Sequence, residues 1–277
     1  MDRSFDSIIL NSLAEDAPGG DMTTLCTVSE SAAAHGYFIA KEAGIIAGTD
    51  IAKRVFDLVG DGVETVFFVK EGDKAEKGQR IGEISGPART VLTGERTALN
   101  LMQRASGIAT ATAEAVGRVS GTNAKICDTR KTMPGLRSLD KYAVRIGGGT
   151  NHRFNLSDGI LIKDNHIAAA GGITAAVSAA RARAPHTLKI EVEVETFDQL
   201  REALNAKADI IMLDNMSVED MRTAVGITAG RALLEASGNM GERDLRAVAE
   251  TGVDLISVGA LTHSVKALDI SLKFTLS

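Results

Sequence analysis

The chain has 277 residues, of which 44% are hydrophobic and 24% are charged, and its formal net charge is −5. This length allows one large core, or a barrel with a small additional domain. An acidic pI near 5.6 argues against nucleic acid or an anionic membrane as a partner. No apolar run approaches the about 20 residues of a membrane span, and the opening segment does not have the pattern of a signal peptide. We therefore expect a cytoplasmic protein in which Cys26 and Cys127 stay reduced.

The first part of the chain predicts a mixed α/β domain. The apolar positions between Ser4 and Ala14 have helical spacing, and those between Asp50 and Leu58 lie on one helical face. Residues 36–46 predict a strand, a turn and a strand, and the β-branched and aromatic stretch Val63–Val69 predicts another strand. A helical pattern then runs from Glu95 to Val119, with Gly107 as the expected helix break and domain boundary.

After Gly107, short apolar runs alternate with helical stretches. The runs are AKICDTR, YAVRIGG, GILIKDN, TLKIEVEVE, ADIIMLDN, RALLEASG and VDLISVG. Helices are predicted over residues 168–184, 197–206, 218–229 and 242–251, with N-caps at Thr196 and Ser217. Repeated strand–helix units predict a parallel sheet, and about seven of them favour a closed or nearly closed β/α barrel. An open doubly wound sheet is the alternative, but no GxGxxG follows the first strand.

A basic stretch interrupts this acidic chain. Between Arg130 and Lys163 there are seven basic and two acidic residues, a local net charge of +5, together with His152. The alternative is a charged surface that faces solvent, which is typical of a helix. Here, however, the basic residues lie at predicted strand ends and beside the glycine turn before Arg153, where sites are more common. The pattern indicates a site for a small anionic ligand.

Nearly every predicted strand of the second part ends in polar residues. In chain order these are Asp128 and Arg130, Lys163 and Asp164, Glu193 and Glu195, Asp214 and Asn215, Glu235 and Ser237, and Ser257 and Gly259. In a β/α barrel these ends meet at one mouth, where active sites lie. A barrel built only for stability does not need them, because buried unpaired charges are costly. The pattern therefore predicts an enzyme.

The sequence EVEVE predicts a strand with two different faces. Glu191, Glu193 and Glu195 share one face, which we expect to enter the barrel, and the intervening valines pack on the outer helices. Glu193 and Asp214, on neighbouring strands, provide hard oxygen ligands that suit Mg²⁺. The alternative is that these acids form ion pairs with Lys163 and Arg130.

The last two strand ends carry small residues. Ser237–Gly238–Asn239 and Ser257–Val258–Gly259 allow backbone N–H groups to approach an anion, and loops after late barrel strands commonly bind phosphate. Ser–Gly pairs are also frequent in ordinary turns.

Several long motifs resemble the quinolinate phosphoribosyltransferases, the nicotinate-nucleotide pyrophosphorylases of NAD synthesis. They are GDMTT, ERTALNLMQRASGIAT, DTRKTMPGLR, YAVRIGGGTNHR, LIKDNH, EVEVE, DIIMLDNM, LEASGN and ISVGALTHS. The resemblance covers nearly the whole chain in the family's order. It implies an N-terminal α/β sandwich domain (residues 1–107, joined by 265–277) and an incomplete, open β/α barrel of the type II phosphoribosyltransferase kind (residues 108–264).

The resemblance also implies roles. Arg130, His152, Arg153 and Lys163 match residues that line the family's quinolinate pocket, with Thr129 and Lys131 beside them. Lys131, Lys163, Glu193 and Asp214 are the expected catalytic residues, and Glu193 and Asp214 match the acidic pair near the ribose hydroxyls and Mg²⁺. The two small-residue loops, including Val258, are expected to hold the 5-phosphate of phosphoribosyl pyrophosphate. Arg96 matches an arginine that a homodimer inserts into the neighbouring subunit's site.

The sequence departs from the family pattern at three positions. Met133 replaces a commoner Thr, and Asn155 and Asn239 each replace a commoner Gly, the last within the expected phosphate loop. Two rival hypotheses remain open. One is a Schiff-base aldolase that uses Lys163 as nucleophile, and the other is a diverged family member that acts on another anionic substrate.

Overall fold

The computed structural model describes residues 4–276, and side chains as far as Phe274. Its helices are α1 (Asp6–Asp16), α2 (Met22–Thr27), α3 (Thr49–Val59), α4 (Ala88–Arg118), α5 (Arg137–Ile146), α6 (Asp164–Ala170), α7 (Ile173–Arg183), α8 (Phe197–Asn205), α9 (Val218–Thr228), α10 (Leu245–Ala249) and α11 (Ala260–His263). Its strands are β1 (Ala33–Ala40), β2 (Gly44–Ile45), β3 (Glu64–Phe67), β4 (Lys74–Ala75), β5 (Arg80–Pro87), β6 (Lys125–Cys127), β7 (Ile160–Ile162), β8 (Ile190–Val194), β9 (Ile210–Asp214), β10 (Leu233–Ser237), β11 (Leu255–Ser257) and β12 (Ile270–Leu276). Within these described residues, no helix has both the length and the hydropathy that crossing a bilayer requires.

The chain divides into two compact units. The first runs up to Ala113 and adds Met133–Gly148 and the segment from Val265 onward. The second consists of Glu114–Thr132 and Gly149–Ser264. The stretch Met133–Gly148 groups with the first unit because it carries α5, whose buried residues belong to that unit's core.

The first unit is a sheet covered by helices. Its main sheet has four strands in the order β12–β1–β5–β3, and all three pairings are antiparallel. β2 and β4 form a separate two-stranded antiparallel sheet. The last strand of the chain therefore pairs with the first one. Buried residues such as Phe38, Phe56 and Met102 fill its core, in keeping with a chain that has no Trp.

The second unit is an open β/α barrel. Its six strands have the order β6–β11–β10–β9–β8–β7 and run parallel, with β6 and β7 at the two edges. Val192 and Val194 on β8 are 0% and 1% exposed and pack in the same core as residues of α8, as the alternating sequence predicts. Burial of each valine contributes about 1.5–3 kcal/mol. The carboxyl ends of all six strands lie at one edge, which positions the polar residues that follow them.

The predicted helix break at Gly107 and the predicted strand YAVRIGG are both wrong. α4 does not break at Gly107 but continues to Arg118. Gly107 is needed for another reason: a Cβ there would lie 2.2 Å from the carbonyl oxygen of Lys266, so the glycine permits a close chain approach. The run YAVRIGG is not a strand but the end of α5, because Leu139, Ala143 and Val144 have helical spacing and are buried together.

The region predicted as one helix from residue 168 to 184 contains the end of α6 and all of α7. Gly171 and Gly172 separate them, with φ values of 84° and 133° that favour glycine. By contrast, the expected caps are present. Thr196 and Gln199 form a capping box at α8, and the Ser217 side chain accepts a hydrogen bond from the Asp220 N–H at α9.

Candidate active site

A cavity of about 620 Å³ lies at the carboxyl ends of the barrel strands. Nearly all of the residues predicted for the site contribute to its wall. They are Thr129, Arg130, Lys131, His152, Arg153, Lys163, Glu193, Asp214, Ser237, Gly238, Asn239, Ser257 and Gly259. The structure therefore brings together, within one unit, residues that span more than a hundred positions of sequence. Arg96 belongs to the first unit, where it is exposed on α4.

Arg130 and Lys131 follow β6 in a tight turn. The Thr129 hydroxyl accepts a hydrogen bond from the Lys131 N–H at 3.0 Å, and the Lys131 carbonyl accepts one from the Thr262 hydroxyl at 2.8 Å. These bonds fix the backbone while the Lys131 side chain stays exposed. The turn therefore presents two cations to the cavity.

Two guanidinium groups are partly desolvated in this wall. The Nε atoms of Arg130 and Arg153 are buried, and neither has a hydrogen-bond partner within the described part of the chain. Burial, followed by the charge of Arg130, lowers the pKa of Arg153. Two like charges that lie close together with unused donors are costly without a counter-ion. This arrangement therefore predicts that an anion binds in the cavity, against both guanidinium groups.

A buried carboxylate positions the second of these arginines. Asp128 is 0% exposed and accepts hydrogen bonds from the Asn151 side chain at 2.6 Å and from the His152 N–H at 2.8 Å. One guanidinium nitrogen of Arg153 donates to the Gly159 carbonyl at 3.0 Å. The loop after the glycine turn is thus tied to the end of β6, and its side chains are directed at the cavity.

Two glutamates and a histidine form a buried cluster below this loop. Glu191 and Glu235 are 5% and 1% exposed, and their carboxylate oxygens and His152 Nε2 lie within 4.8 Å of one another. Burial, and then the neighbouring Glu191, raises the pKa of Glu235 to about 7, against the opposing effects of His152 and Ser257. A proton on Glu235 lets its carboxyl group donate to Glu191, which explains how two carboxyl groups are tolerated at this position.

The ends of β7, β8 and β9 provide a mixed polar set. Lys163 Nζ donates a hydrogen bond to the carboxylate of Glu193, so the expected ion pair between these residues is present. The Asp214 carboxylate accepts a hydrogen bond from the side chain of Asn215 at 2.7 Å. Glu195 differs from its prediction: β8 ends at Val194, and Glu195 is exposed rather than inside the barrel.

The loop after β10 requires its glycine. Gly238 has a φ of 96°, and a Cβ there would lie 2.2 Å from the side-chain oxygen of Asn215. Asn239 follows with a φ of 50°, which asparagine tolerates. Among residues 4–276, no backbone carbonyl accepts a hydrogen bond from the N–H of Gly238 or Asn239, so both donors suit an anion.

The loop after β11 contains one residue that lies in the core, Val258, and one that lines the cavity, Gly259. The side chain of Val258 is buried in the core, and its backbone N–H donates to the Cys127 carbonyl. The side chain and the N–H of Val258 therefore both have partners within the protein. Gly259 faces the cavity, and a Cβ there would lie 3.2 Å from the ring of His263 and 3.3 Å from the Lys131 side chain. His263 was not predicted, although its position one helical turn after Gly259 on α11 could have indicated it.

The chain matches the two family models described as the N-terminal and C-terminal domains of quinolinate phosphoribosyl transferase, over residues 21–106 and 108–273. It is 51% identical over 263 residues to a probable nicotinate-nucleotide pyrophosphorylase (carboxylating) of Bacillus subtilis, covering 95% of this chain and 91% of the relative. It is 46% identical to the corresponding protein of Mycobacterium leprae, covering 98% of each. The crystal structure of a NadC deletion mutant superposes with a TM-score of 0.96 at 44% identity, over 100% of this chain and 98% of that chain. The nicotinate-nucleotide pyrophosphorylase structure from Francisella tularensis gives 0.92 at 43% identity, over 97% and 95%. The chain therefore belongs to the quinolinate phosphoribosyltransferase family.

Proposed function

We propose that this protein transfers the phosphoribosyl group of phosphoribosyl pyrophosphate to quinolinate. The products are nicotinate mononucleotide, CO₂ and pyrophosphate, in a step of NAD synthesis. The observation that carries the proposal is the pair of partly desolvated guanidiniums, Arg130 and Arg153, with unused Nε donors at a cavity of suitable size. The printed names of the relatives agree with this chemistry.

Quinolinate fits the cationic side of the cavity. It is a pyridine dicarboxylate, and each carboxylate can accept paired N–H groups from a guanidinium. Arg130 and Arg153 provide these donors, and Lys163 adds a third cation at the end of β7. His152 lines the same wall through its ring. Binding of the dianion removes the repulsion between the two arginines, which favours occupancy of the site.

Phosphoribosyl pyrophosphate fits the opposite side. The N–H groups after β10 and the opening beside Gly259 suit its 5-phosphate. Lys131 and His263 flank that opening and suit the pyrophosphate. Glu193 and Asp214 lie between the two regions and suit the ribose hydroxyls.

Mg²⁺ is the cofactor that this co-substrate implies. Glu193 and Asp214 come from the neighbouring strands β8 and β9, and both present carboxylate oxygens to the cavity, a donor set that fits a hard divalent cation. When bound, the ion neutralises charge on the pyrophosphate. Glu193 would exchange its ion pair with Lys163 for this role, which frees Lys163 for the substrate carboxylate.

The reaction follows from these positions. The bond between ribose C1 and pyrophosphate breaks with both electrons leaving on pyrophosphate, and Lys131 stabilises that charge. Glu193 and Asp214 offset the positive charge that develops on the ribose. The pyridine nitrogen forms the new bond to C1 and becomes cationic. The bond from ring carbon 2 to its carboxylate then breaks, CO₂ leaves, and the electron pair left on that carbon takes up a proton.

We further propose that the active unit is at least a homodimer. Arg96 is exposed and its unit contains none of the cavity residues. Donation of Arg96 to the site of a second copy would supply another cation for quinolinate, as the family resemblance implies. A cytoplasmic location, where the thiols of Cys26 and Cys127 stay reduced, completes the proposal.

The test is product analysis with the purified protein, quinolinate, phosphoribosyl pyrophosphate and Mg²⁺. Chromatography should detect nicotinate mononucleotide, and Arg153→Ala should abolish it while an exposed control, Glu114→Gln, should not. Absence of the product from the folded wild-type protein refutes the proposal. The Schiff-base alternative predicts covalent trapping of Lys163 by borohydride with a carbonyl substrate. The ion pair between Lys163 and Glu193 argues against it, because a Schiff-base lysine must present an uncharged amine.

A further inference from the structure

The ring of His152 is held at both nitrogens. Nδ1 accepts a hydrogen bond from the Arg153 N–H at 2.7 Å. A ring nitrogen that accepts a hydrogen bond carries no proton, so the proton of the ring lies on Nε2. Nε2 is 3.1 Å from a carboxylate oxygen of Glu191, where it donates. The hydrogen-bond network therefore specifies one neutral tautomer.

The surroundings of the ring support this tautomer. Asp128, at the end of β6, holds the His152 N–H and so fixes the backbone that presents Nδ1 to its neighbour. Glu191 comes from β8, and Glu235 from β10 lies 3.7 Å from Nε2. Glu191 is thus the nearer acceptor for the Nε2–H, and the two carboxyl groups hold this side of the ring between β8 and β10.

We infer that Asp128 and Glu191 are positioning residues that hold His152 as the neutral Nε2–H tautomer. Among the described residues that line the cavity, Arg130, Arg153 and Lys163 then provide the permanent positive charge of the dicarboxylate subsite. His152 ties the Arg153 backbone to the buried cluster, and in this tautomer its ring adds no positive charge. The inference rests on the proposed function for its consequence, namely that His152 contributes hydrogen-bond geometry, and not charge, to quinolinate binding.

The direct measurement is a long-range ¹H–¹⁵N correlation spectrum of the full protein labelled at its five histidines. The His152 signal is assigned by its loss in His152→Gln. We expect one protonated nitrogen, Nε2, and one unprotonated nitrogen, Nδ1, at neutral pH. A doubly protonated ring at that pH, or a proton on Nδ1, would overturn the inference. This readout does not depend on catalysis, so loss of the proposed activity would leave it unaffected.

Variants test the positioning role. Glu191→Gln should allow either ring nitrogen to carry the proton, because an amide can donate or accept, and it should raise the KM for quinolinate about tenfold while the KM for phosphoribosyl pyrophosphate changes little. Asp128→Asn, which keeps one acceptor, should give a smaller rise. Glu195→Gln is the matched control from the same segment, exposed and past the strand end, and should leave the spectrum and both KM values unchanged. An unchanged His152 spectrum and an unchanged KM in Glu191→Gln would refute the role of Glu191.

Discussion

Glu235→Gln should change how the stability of the barrel unit depends on pH. Glu235 is 1% exposed, and its pKa is raised from the ordinary 4.5 to about 7, mainly by burial. The native state therefore binds more protons than the unfolded state between about pH 4.5 and 7. Its stability should fall as pH rises through this window and remain low above it, when the group is charged. The difference between 4.5 and about 7, at about 1.4 kcal/mol for each pKa unit, gives a whole effect of about 3.5 kcal/mol.

Hydrogen exchange of peptides that cover β10 and β11 measures this contribution locally. Wild-type and variant are compared at each pH, which cancels the intrinsic exchange rate. The difference in protection should favour Glu235→Gln by up to about 3.5 kcal/mol near pH 8 and should decrease towards pH 5. Glu114→Gln, an exposed control in the same unit, should show no such trend. A constant difference between variant and wild-type over the whole pH range would show that Glu235 does not titrate in this window.

Three further predictions concern the cavity. Glu193→Gln and Asp214→Asn should lower kcat about a hundredfold but change quinolinate affinity measured by calorimetry little; equal losses would place these acids in the quinolinate subsite. Gly259→Val should raise the KM for phosphoribosyl pyrophosphate at least tenfold, because its side chain would occupy the opening; an unchanged KM with an intact fold would place the phosphate elsewhere. Arg96→Ala and Lys163→Ala, each inactive alone, should regain about a quarter of wild-type activity when mixed, since half of the dimers are mixed and each has one intact site. No recovery, with subunit exchange confirmed by mass labelling, would show that Arg96 serves its own chain.

The strand ends could be predicted from the sequence because their pattern is local. A β-branched run that stops at a polar residue identifies both the strand and the edge of the sheet, as β8 and β9 illustrate. The alternation in EVEVE gave the inward and outward faces correctly for Glu191 and Val192. The alternation does not show at which residue the pairing between strands ends. Glu195 is therefore predicted to face the inside of the barrel, but it lies past the end of β8 and is exposed.

Tertiary contacts account for what the sequence could not show. Gly107 resembles a helix stop, yet it lies within α4 because another chain segment approaches it closely. The run that ends α5 is short and apolar, and such runs are ambiguous between strand and helix until their partners are known. The hydrogen bonds of His152 could not be predicted from the sequence either. Its N–H and its ring join a loop to Asp128 after β6 and to Glu191 on β8, which are distant in the chain.

The most direct test of the proposed reaction is its stoichiometry. Quinolinate labelled at the 2-carboxylate is incubated with the protein, phosphoribosyl pyrophosphate and Mg²⁺, and labelled CO₂ and pyrophosphate are measured together over time. The account predicts equal amounts of both, no CO₂ when phosphoribosyl pyrophosphate is omitted, and neither product when Arg130 is replaced by Ala. Pyrophosphate release without labelled CO₂ would contradict it, because the site would then transfer the phosphoribosyl group to an acceptor that does not decarboxylate.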